Sequence, residues 1–95
     1  MAYLGYPFGP QHADLILAVW SKGRKVRGYD PADIRQDMCG HWNQFDQHGK
    51  ESNYGWEIDH ILPRAKGGKT ELKNLQPLWW EYNRRKGDIY PWDGS

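Results

Sequence analysis

Apolar residues near the start of the chain recur at the spacing of one helical face. These residues are Leu15, Ile16, Val19 and Trp20. The polar residues that follow end at Gly23, which can adopt the left-handed conformation that closes many helices. The pattern therefore predicts a helix over residues 11–22. Residues 1–10 are interrupted by two glycines and two prolines, and we expect them to form an irregular arm laid over the core.

The middle of the chain alternates short apolar runs with polar turns. Residues 38–45, which contain Trp42 and Phe45, are predicted to form a strand. Residues 55–61 are predicted to be its partner, and the polar residues 46–54 between them favour a turn. This stretch therefore indicates a hairpin-like pair of strands.

After the second run the pattern changes to a loop, a short strand and a helix. Residues 62–73 are polar and glycine-containing, and residues 74–76 form a brief apolar-polar run. Pro77 fits the first turn of a helix, and Gly87 can end that helix after a cationic last turn. The last eight residues carry no periodic pattern.

The chain length limits how the protein can be organised. A chain of 95 residues is the size of one small domain, which needs large side chains to form a core. Six Trp, six Tyr and two Phe supply that mass. We predict a single α+β domain over residues 1–95, with the arm and helix in residues 1–37, the central core in residues 38–87 and an irregular tail in residues 88–95.

The formal net charge of +1 gives no global sign of nucleic-acid binding, but the charges are unevenly distributed. Seven basic and four acidic residues lie between Glu57 and Lys86. A second basic cluster, at residues 24–27, is typical of a solvated surface and can also reach phosphates. No apolar stretch approaches the ~20 residues that span a bilayer, so we expect neither membrane insertion nor an export signal.

The single cysteine narrows the possible stabilising chemistry. Cys39 cannot form an intrachain disulfide or supply a multi-cysteine zinc ribbon. Together with His41 and His48 it forms a weak zinc alternative, whereas a small buried side chain is the simpler interpretation. A free thiol suits the reducing cytoplasm, where we expect the protein to be located.

Asp59 and His60 are the first candidates for chemistry. A carboxylate can hold a hard cation, and a neutral imidazole can take a proton from water near pH 7. Adjacent strand residues point to opposite faces, so the two side chains converge only if the strand twists or ends there. An isolated Asp-His pair is more often a surface hydrogen bond, and the case for a site therefore depends on Asn74 and Asn83.

These residues form part of a longer pattern. Its segments are Asp59-His60-Ile61-Leu62-Pro63, Gly67-Gly68, Asn74-Leu75-Gln76-Pro77-Leu78 and Asn83-Arg84-Arg85-Lys86. In this order and spacing the pattern resembles the motif of the HNH nuclease family. The resemblance implies a ββα-metal core, also called a His-Me finger, and the activity of a metal-dependent DNA endonuclease.

The resemblance also implies a role for each matching residue. His60 would be the general base, Asp59 and Asn83 would bind the metal, and Asn74 would brace the loop and orient His60 by hydrogen bonds. Asn83 stands where the family often has its last histidine, which makes the chain an HNN variant. The resulting oxygen donors favour Mg²⁺ or Mn²⁺. No structural zinc is expected, and aromatic packing would replace the cysteine ribbon.

Nine basic residues are predicted to contact the DNA backbone. They are Arg24, Lys25, Arg27, Arg64, Lys66, Lys69, Arg84, Arg85 and Lys86. Phosphate contacts give affinity without reading the base sequence. We therefore expect weak sequence specificity.

The sequence leaves two other functions open. One is a non-catalytic DNA-binding module that retains the fold, and the other is a toxin domain with an immunity partner. Freestanding HNH proteins of this size resemble those of bacteria and their phages, which implies the cytoplasm of a bacterial or infected cell. One such site cuts one strand, so we expect a monomer that nicks DNA, with a dimer that breaks both strands as the alternative.

Overall fold

The computed structural model describes residues 10–95 and has an α+β architecture of two helices and two antiparallel sheets. The helices and strands, in chain order, are α1 (Pro10–Trp20), β1 (Arg24–Lys25), β2 (Ile34–Gln36), β3 (Trp42–Gln44), β4 (Trp56–His60), β5 (Leu75–Trp79) and α2 (Trp80–Lys86). The short 3₁₀ turns of this part of the chain are Phe45–Gln47, Arg64–Lys66 and Leu72–Asn74. The predicted arm, apart from Pro10, lies outside the described residues.

Helix α1 ends two residues before its predicted end. Gly23 does not adopt a left-handed conformation, so its predicted role is wrong. Instead its N–H donates to the carbonyl of Trp20, and a Cβ at this position would lie 3.0 Å from the Cβ of Arg35. A larger residue at position 23 would therefore crowd Arg35 and the carbonyl of Trp20. Within residues 10–95, neither this helix nor α2 has the length and apolarity to cross a membrane.

Strands β4 and β5 form an antiparallel pair in the centre of the described chain. Asp59 lies opposite Gln76, and His60 lies opposite Leu75. Opposite residues share a face of the sheet, and successive residues alternate between faces. One face packs against α1 in the hydrophobic core, while the other carries Glu57 and Asp59 toward α2. The pair therefore lies between the two helices.

The predicted pairing of residues 38–45 with residues 55–61 is wrong. The first segment contributes β3, which pairs with β2 in a separate sheet of order β1-β2-β3. The second segment contributes β4, whose partner is β5. Leu75 and Leu78 of β5 are fully buried, so β5 offers β4 two buried apolar side chains. Strand β3 offers Trp42 beside the polar residues Asn43 and Gln44. Strands as short as β1 and β2 carry no readable periodicity.

The prediction that Pro77 begins the final helix is wrong. Pro77 lies within β5, opposite Ile58. Helix α2 begins three residues later, at Trp80. Among the described strands β5 pairs with β4 alone, and a strand with one open edge tolerates a proline because the missing N–H can face away from the partner.

The core is built around two tryptophans. Trp20 and Trp56 are buried with Val19 and Leu75, and their ring centroids lie 5.2 Å apart. Both indole N–H groups donate to backbone carbonyls, at 2.9 and 3.2 Å. Because each buried donor has an acceptor, the large rings supply apolar area without an unsatisfied polar group.

Asp37 connects the three-stranded sheet to the start of α2. Its buried carboxylate accepts hydrogen bonds from the backbone N–H groups of Cys39, His41 and Trp79 at 3.0, 3.0 and 2.9 Å. The side-chain amide of Asn43 adds a contact at 3.3 Å. The loop after β2 thereby wraps around one carboxylate, which explains why the predicted strand from residue 38 is shortened to β3.

Leu75 and Leu72 provide a matched test of this core. Replacing Leu75, which is fully buried, with Ala should lower the free energy of unfolding by about 2–5 kcal/mol because the substitution leaves a cavity. Leu72→Ala is the control, since Leu72 is 46% exposed and should change the value by within about 0.5 kcal/mol. Chemical denaturation measures both values. Equal effects of the two substitutions would contradict the assigned core.

His48 makes stability depend on pH. Its ring lies 4.6 Å from Trp56, and burial lowers its pKa, with a further lowering from His12 that Glu57 opposes. As pH falls below the ordinary histidine pKa, the unfolded chain binds the proton first, so the free energy of unfolding decreases. Denaturation between pH 7 and pH 5 should show this decrease, and His48→Gln should make it shallower. An unchanged pH dependence in the variant would exclude His48 as a source.

Candidate active site

A cleft of about 230 Å³ lies beside the end of β4 and the end of α2. Its lining residues are Ile58, Asp59, His60, Pro63, Arg64, Ala65, Asn83, Gly87 and Asp88. The structure therefore brings Asp59, His60 and Asn83 to one place, together with the cation of Arg64. Because β4 ends at His60, two adjacent side chains reach the same cleft although they would point apart inside a strand.

Asp59 is held by two side chains from neighbouring elements. Its Oδ1 accepts a hydrogen bond from Nζ of Lys86 at 3.1 Å, and its Oδ2 accepts one from Nε2 of Gln76 at 2.9 Å. The same Lys86 ammonium donates to the carbonyl of His60 at 2.9 Å. Asp59 is 5% exposed and Lys86 is 2% exposed, so the pair is an internal ion pair.

The predicted contact between Lys86 and DNA is therefore wrong. Lys86 lies three residues after Asn83, on the same side of α2, and that side faces β4. Its charge is enclosed by Asp59 and the backbone of His60. A buried ammonium of this kind cannot contact a phosphate of DNA outside the protein, and its hydrogen bonds stabilise the fold instead.

Asn83 is oriented by Glu57. Its Nδ2 donates to Oε1 of Glu57 at 2.8 Å, and Arg84 donates to the same oxygen at 2.6 Å. Burial alone would raise the pKa of Glu57, but the hydrogen bonds from Arg84 and Asn83 outweigh it and hold the pKa below its ordinary value. Since Nδ2 is engaged, Oδ1 is the amide atom left to bind a cation.

Asn74 closes the loop that follows β4. Its Oδ1 accepts from the N–H of Leu62 at 2.9 Å, and its Nδ2 donates to the carbonyls of Leu62 and Lys69 at 3.1 and 3.0 Å. A Cβ on Gly68 would lie 1.8 Å from the carbonyl oxygen of Leu62, so the close approach requires glycine. The contacts of the Asn74 side chain are to the loop backbone rather than to the ring of His60.

The ring of His60 contacts Thr70. Its Nε2 lies 2.8 Å from the hydroxyl oxygen Oγ1. Burial lowers the pKa of His60, and the nearby Arg64 lowers it further, while Asp59 opposes the change. The ring is therefore mostly neutral near pH 7, the state in which an imidazole can accept a proton.

The other predicted DNA contacts differ in where they lie. Arg64 lines the cleft, and Lys66 is exposed in the same 3₁₀ turn. Lys69 is exposed on the loop that Asn74 closes. Arg84 is exposed and forms ion pairs with Glu57 and Glu51, whereas Arg64, Lys66 and Lys69 form no ion pair among the described residues.

The remaining basic residues lie away from the cleft lining. Arg85 is exposed, with its guanidinium 5.3 Å from the centre of the Tyr82 ring. Arg24 lines a different cavity, of about 250 Å³. Lys25 and Arg27 are exposed and line neither cavity. The structure thus does not bring the cluster at residues 24–27 to the candidate site.

The residues of the zinc alternative are not gathered into a site. His41 stacks on Trp79 with ring centroids 4.0 Å apart, and His48 packs against Trp56. Over residues 10–95 no group of three or more His, Cys, Asp or Glu side chains is placed to hold a metal ion. Cys39 therefore lacks a ligand set in the described chain.

Asp59 and Asn83 nevertheless fit a hard divalent cation. Each carboxylate oxygen of Asp59 accepts one hydrogen bond, which leaves lone pairs on both. The amide oxygen of Asn83 is the second protein donor in the same cleft. Such a small set of oxygen ligands suits an ion that keeps several waters and completes its shell with substrate phosphate.

Four residues around the site lie outside those that the sequence predicts for it. Glu57, two residues before Asp59 on a strand, had a usable signal because alternate strand residues share a face. Gln76 required the register of β4 and β5, and Thr70 lies in a loop without periodicity. Asp88, directly after Gly87, lines the cleft and gave no signal in the motif.

The model of the HNH endonuclease family matches residues 38–88. This match covers more than half of the chain, and the chain therefore belongs to the HNH endonuclease family. Membership indicates a nuclease-type activity with DNA as the substrate, and the α+β fold is compatible with it. Comparisons with curated proteins and with solved structures gave no match.

The internal role of Lys86 can be tested by stability. Lys86→Met should lower the free energy of unfolding by about 3–5 kcal/mol, because it leaves the Asp59 charge buried without its partner. Adding Asp59→Asn to that variant should recover part of the loss. Chemical denaturation of the two variants and the original protein measures these values.

Lys66→Met is the matched control, since Lys66 is exposed and should change the free energy of unfolding by within about 0.5 kcal/mol. If Lys86→Met proved as harmless as this control, the ion pair would not contribute to the fold.

Proposed function

We propose that this protein is a metal-dependent DNA endonuclease that hydrolyses phosphodiester bonds in the cleft between β4 and α2. The observation that carries the proposal is the convergence of an imidazole, a carboxylate and an amide oxygen in one cleft of an HNH family member. A general base and a hard-cation site side by side are what hydrolysis of a phosphodiester requires.

The proposed reaction begins with His60. Its neutral ring takes a proton from a water molecule, whose oxygen attacks phosphorus as the bond to the leaving 3′ oxygen breaks. A divalent cation held by Asp59 and Asn83, Mg²⁺ or Mn²⁺, would stabilise negative charge on the phosphate and the leaving oxygen. Arg64, which lines the cleft, offers charge-assisted hydrogen bonds to the same phosphate.

The order of β4, β5 and α2 along the chain supports a ββα-metal core. Strands β4 and β5 are antiparallel, and α2 follows directly and packs against Glu57 and Asp59 of β4. On this proposal Asn74 braces the loop between the strands. Resemblance to the family supports products with 5′-phosphate and 3′-hydroxyl ends, and a monomer with one such site would nick one strand.

Binding of DNA would depend on exposed cations near the cleft. Lys66 and Lys69 lie on the loop between β4 and β5, close in sequence to Arg64. They would contact backbone phosphates and set the position of the strand without reading its sequence. The interaction should therefore weaken as salt concentration rises.

One observation favours a second function, a DNA-binding module without catalysis. Both carboxylate oxygens of Asp59 already accept hydrogen bonds, one of them from the ammonium of Lys86. This ion pair neutralises the charge that would attract a metal. If it outcompetes the cation, the fold would bind DNA and leave it intact.

Plasmid nicking distinguishes the two functions. The protein should convert supercoiled plasmid to open circles with Mg²⁺ or Mn²⁺ and lose this activity in EDTA. His60→Ala should reduce the rate by about 10²–10⁴-fold because the general base is removed. Its DNA binding and its free energy of unfolding should stay close to those of the original protein.

An asparagine pair provides the matched control. Asn83→Ala should impair cleavage, whereas Asn53→Ala should not, because Asn53 is exposed and lies outside the cleft lining. If the protein bound DNA but did not cut it with any divalent metal, the binding module would replace the nuclease.

A further inference from the structure

Thr70 is the residue that engages the ring of the proposed general base. Its Oγ1 lies 2.8 Å from Nε2 of His60, across a sequence separation of ten residues. The hydroxyl thus forms a hydrogen bond with one of the two ring nitrogens. No hydrogen bond within the described residues engages the other nitrogen, Nδ1, and His60 lines the cleft.

The position of Thr70 follows from the contacts of Asn74. The Asn74 amide donates to the carbonyl of Lys69, the residue directly before Thr70, and it also bonds both backbone groups of Leu62. The loop therefore returns to the end of β4 at a fixed place. Asn74 thus fixes the loop beside Thr70 and makes no hydrogen bond to the ring of His60.

We infer that Thr70 is a positioning residue that orients the ring of His60 through Nε2, so that the ring carries its proton on Nε2 and its lone pair on Nδ1. The inference rests on the proposed function and names a residue that this function needs. In this arrangement the Thr70 hydroxyl oxygen accepts the hydrogen bond from Nε2–H.

The opposite arrangement cannot support general-base catalysis. A threonine hydroxyl can also donate, and donation to Nε2 would occupy the ring's lone pair there. Nδ1 would then carry the proton and could not take another from water. With Thr70 as acceptor, the proton from water moves to Nδ1 and the ring becomes an imidazolium, while Oγ1 still accepts from Nε2–H. The water oxygen forms its bond to phosphorus as the bond from phosphorus to the leaving 3′ oxygen breaks.

Nuclear magnetic resonance of the histidine ring tests the inference without measuring cleavage. Long-range proton–nitrogen correlations on ¹⁵N-labelled protein, at a pH where the ring is neutral, report which nitrogen of His60 carries the proton. The expected result is a protonated Nε2 in the original protein and a mixture of tautomers in Thr70→Val. Thr70→Ser should restore the original state because it keeps the hydroxyl.

Cleavage kinetics supply the second measurement. Thr70→Val should reduce kcat by about 10- to 100-fold, taking as a guide the loss seen when a partner that orients a metal-ligating histidine is removed, with KM for DNA unchanged. Thr70→Ser should recover most of the rate. In a His60→Ala background Thr70→Val should have no further effect, because the two residues act as a unit.

The outcomes separate this inference from the proposed function. A proton on Nδ1 in the original protein would overturn the role of Thr70 even if the protein cuts DNA. If the protein does not cut DNA but Nε2 carries the proton in the original protein and loses it in part in Thr70→Val, the proposed nuclease activity would be refuted and the hydrogen bond from Nε2–H to Thr70 would be supported. Thr70 is exposed, and if Thr70→Val altered the fold, Thr70→Ala gives the same comparison. A Thr70→Ala or Thr70→Val variant with full kcat and an unchanged tautomer would refute the inference.

Discussion

The ion pair between Lys86 and Asp59 determines where the end of α2 lies. A buried ammonium is stable only beside an opposite charge and hydrogen-bond acceptors, and both are provided by the last two residues of β4. Satisfying this requirement brings Asn83, one turn earlier on α2, close to Glu57 and the cleft. The geometry of the candidate site therefore depends on a pair of charges that takes no part in the proposed proton transfer.

Elsewhere in the described chain, packed tryptophan rings and hydrogen bonds to the buried carboxylate of Asp37 hold the elements together. Trp20 and Trp56 fill the core, and their N–H groups are satisfied by backbone carbonyls. Asp37 accepts three hydrogen bonds from the loop after β2 and from β3, and a fourth, from the N–H of Trp79, joins the three-stranded sheet to the start of α2. The elements that carry the site are therefore fixed by polar contacts as well as by apolar burial, which suits a site whose groups must stay oriented.

Parts of the fold could be predicted because they depend on local pattern. Helical spacing indicated a helix over 11–22, where α1 lies, and the run before His60 indicated the strand that is β4. The partner of β4 could not be predicted, since pairing depends on which distant segment offers a buried apolar surface. The prediction that Pro77 begins a helix is wrong for the same reason: nothing local reveals a strand with one open edge, where proline is tolerated.

The sequence by itself determined the family pattern and the residues Asp59, His60, Asn74 and Asn83, because motif spacing is a property of the chain. Only the tertiary structure decided how these residues are used. It turned Lys86 from a candidate DNA contact into the internal partner of Asp59, and it placed Thr70 and Glu57 against His60 and Asn83. Burial and hydrogen-bond partners arise from segments that are distant in the chain, so they exist only once the chain is folded.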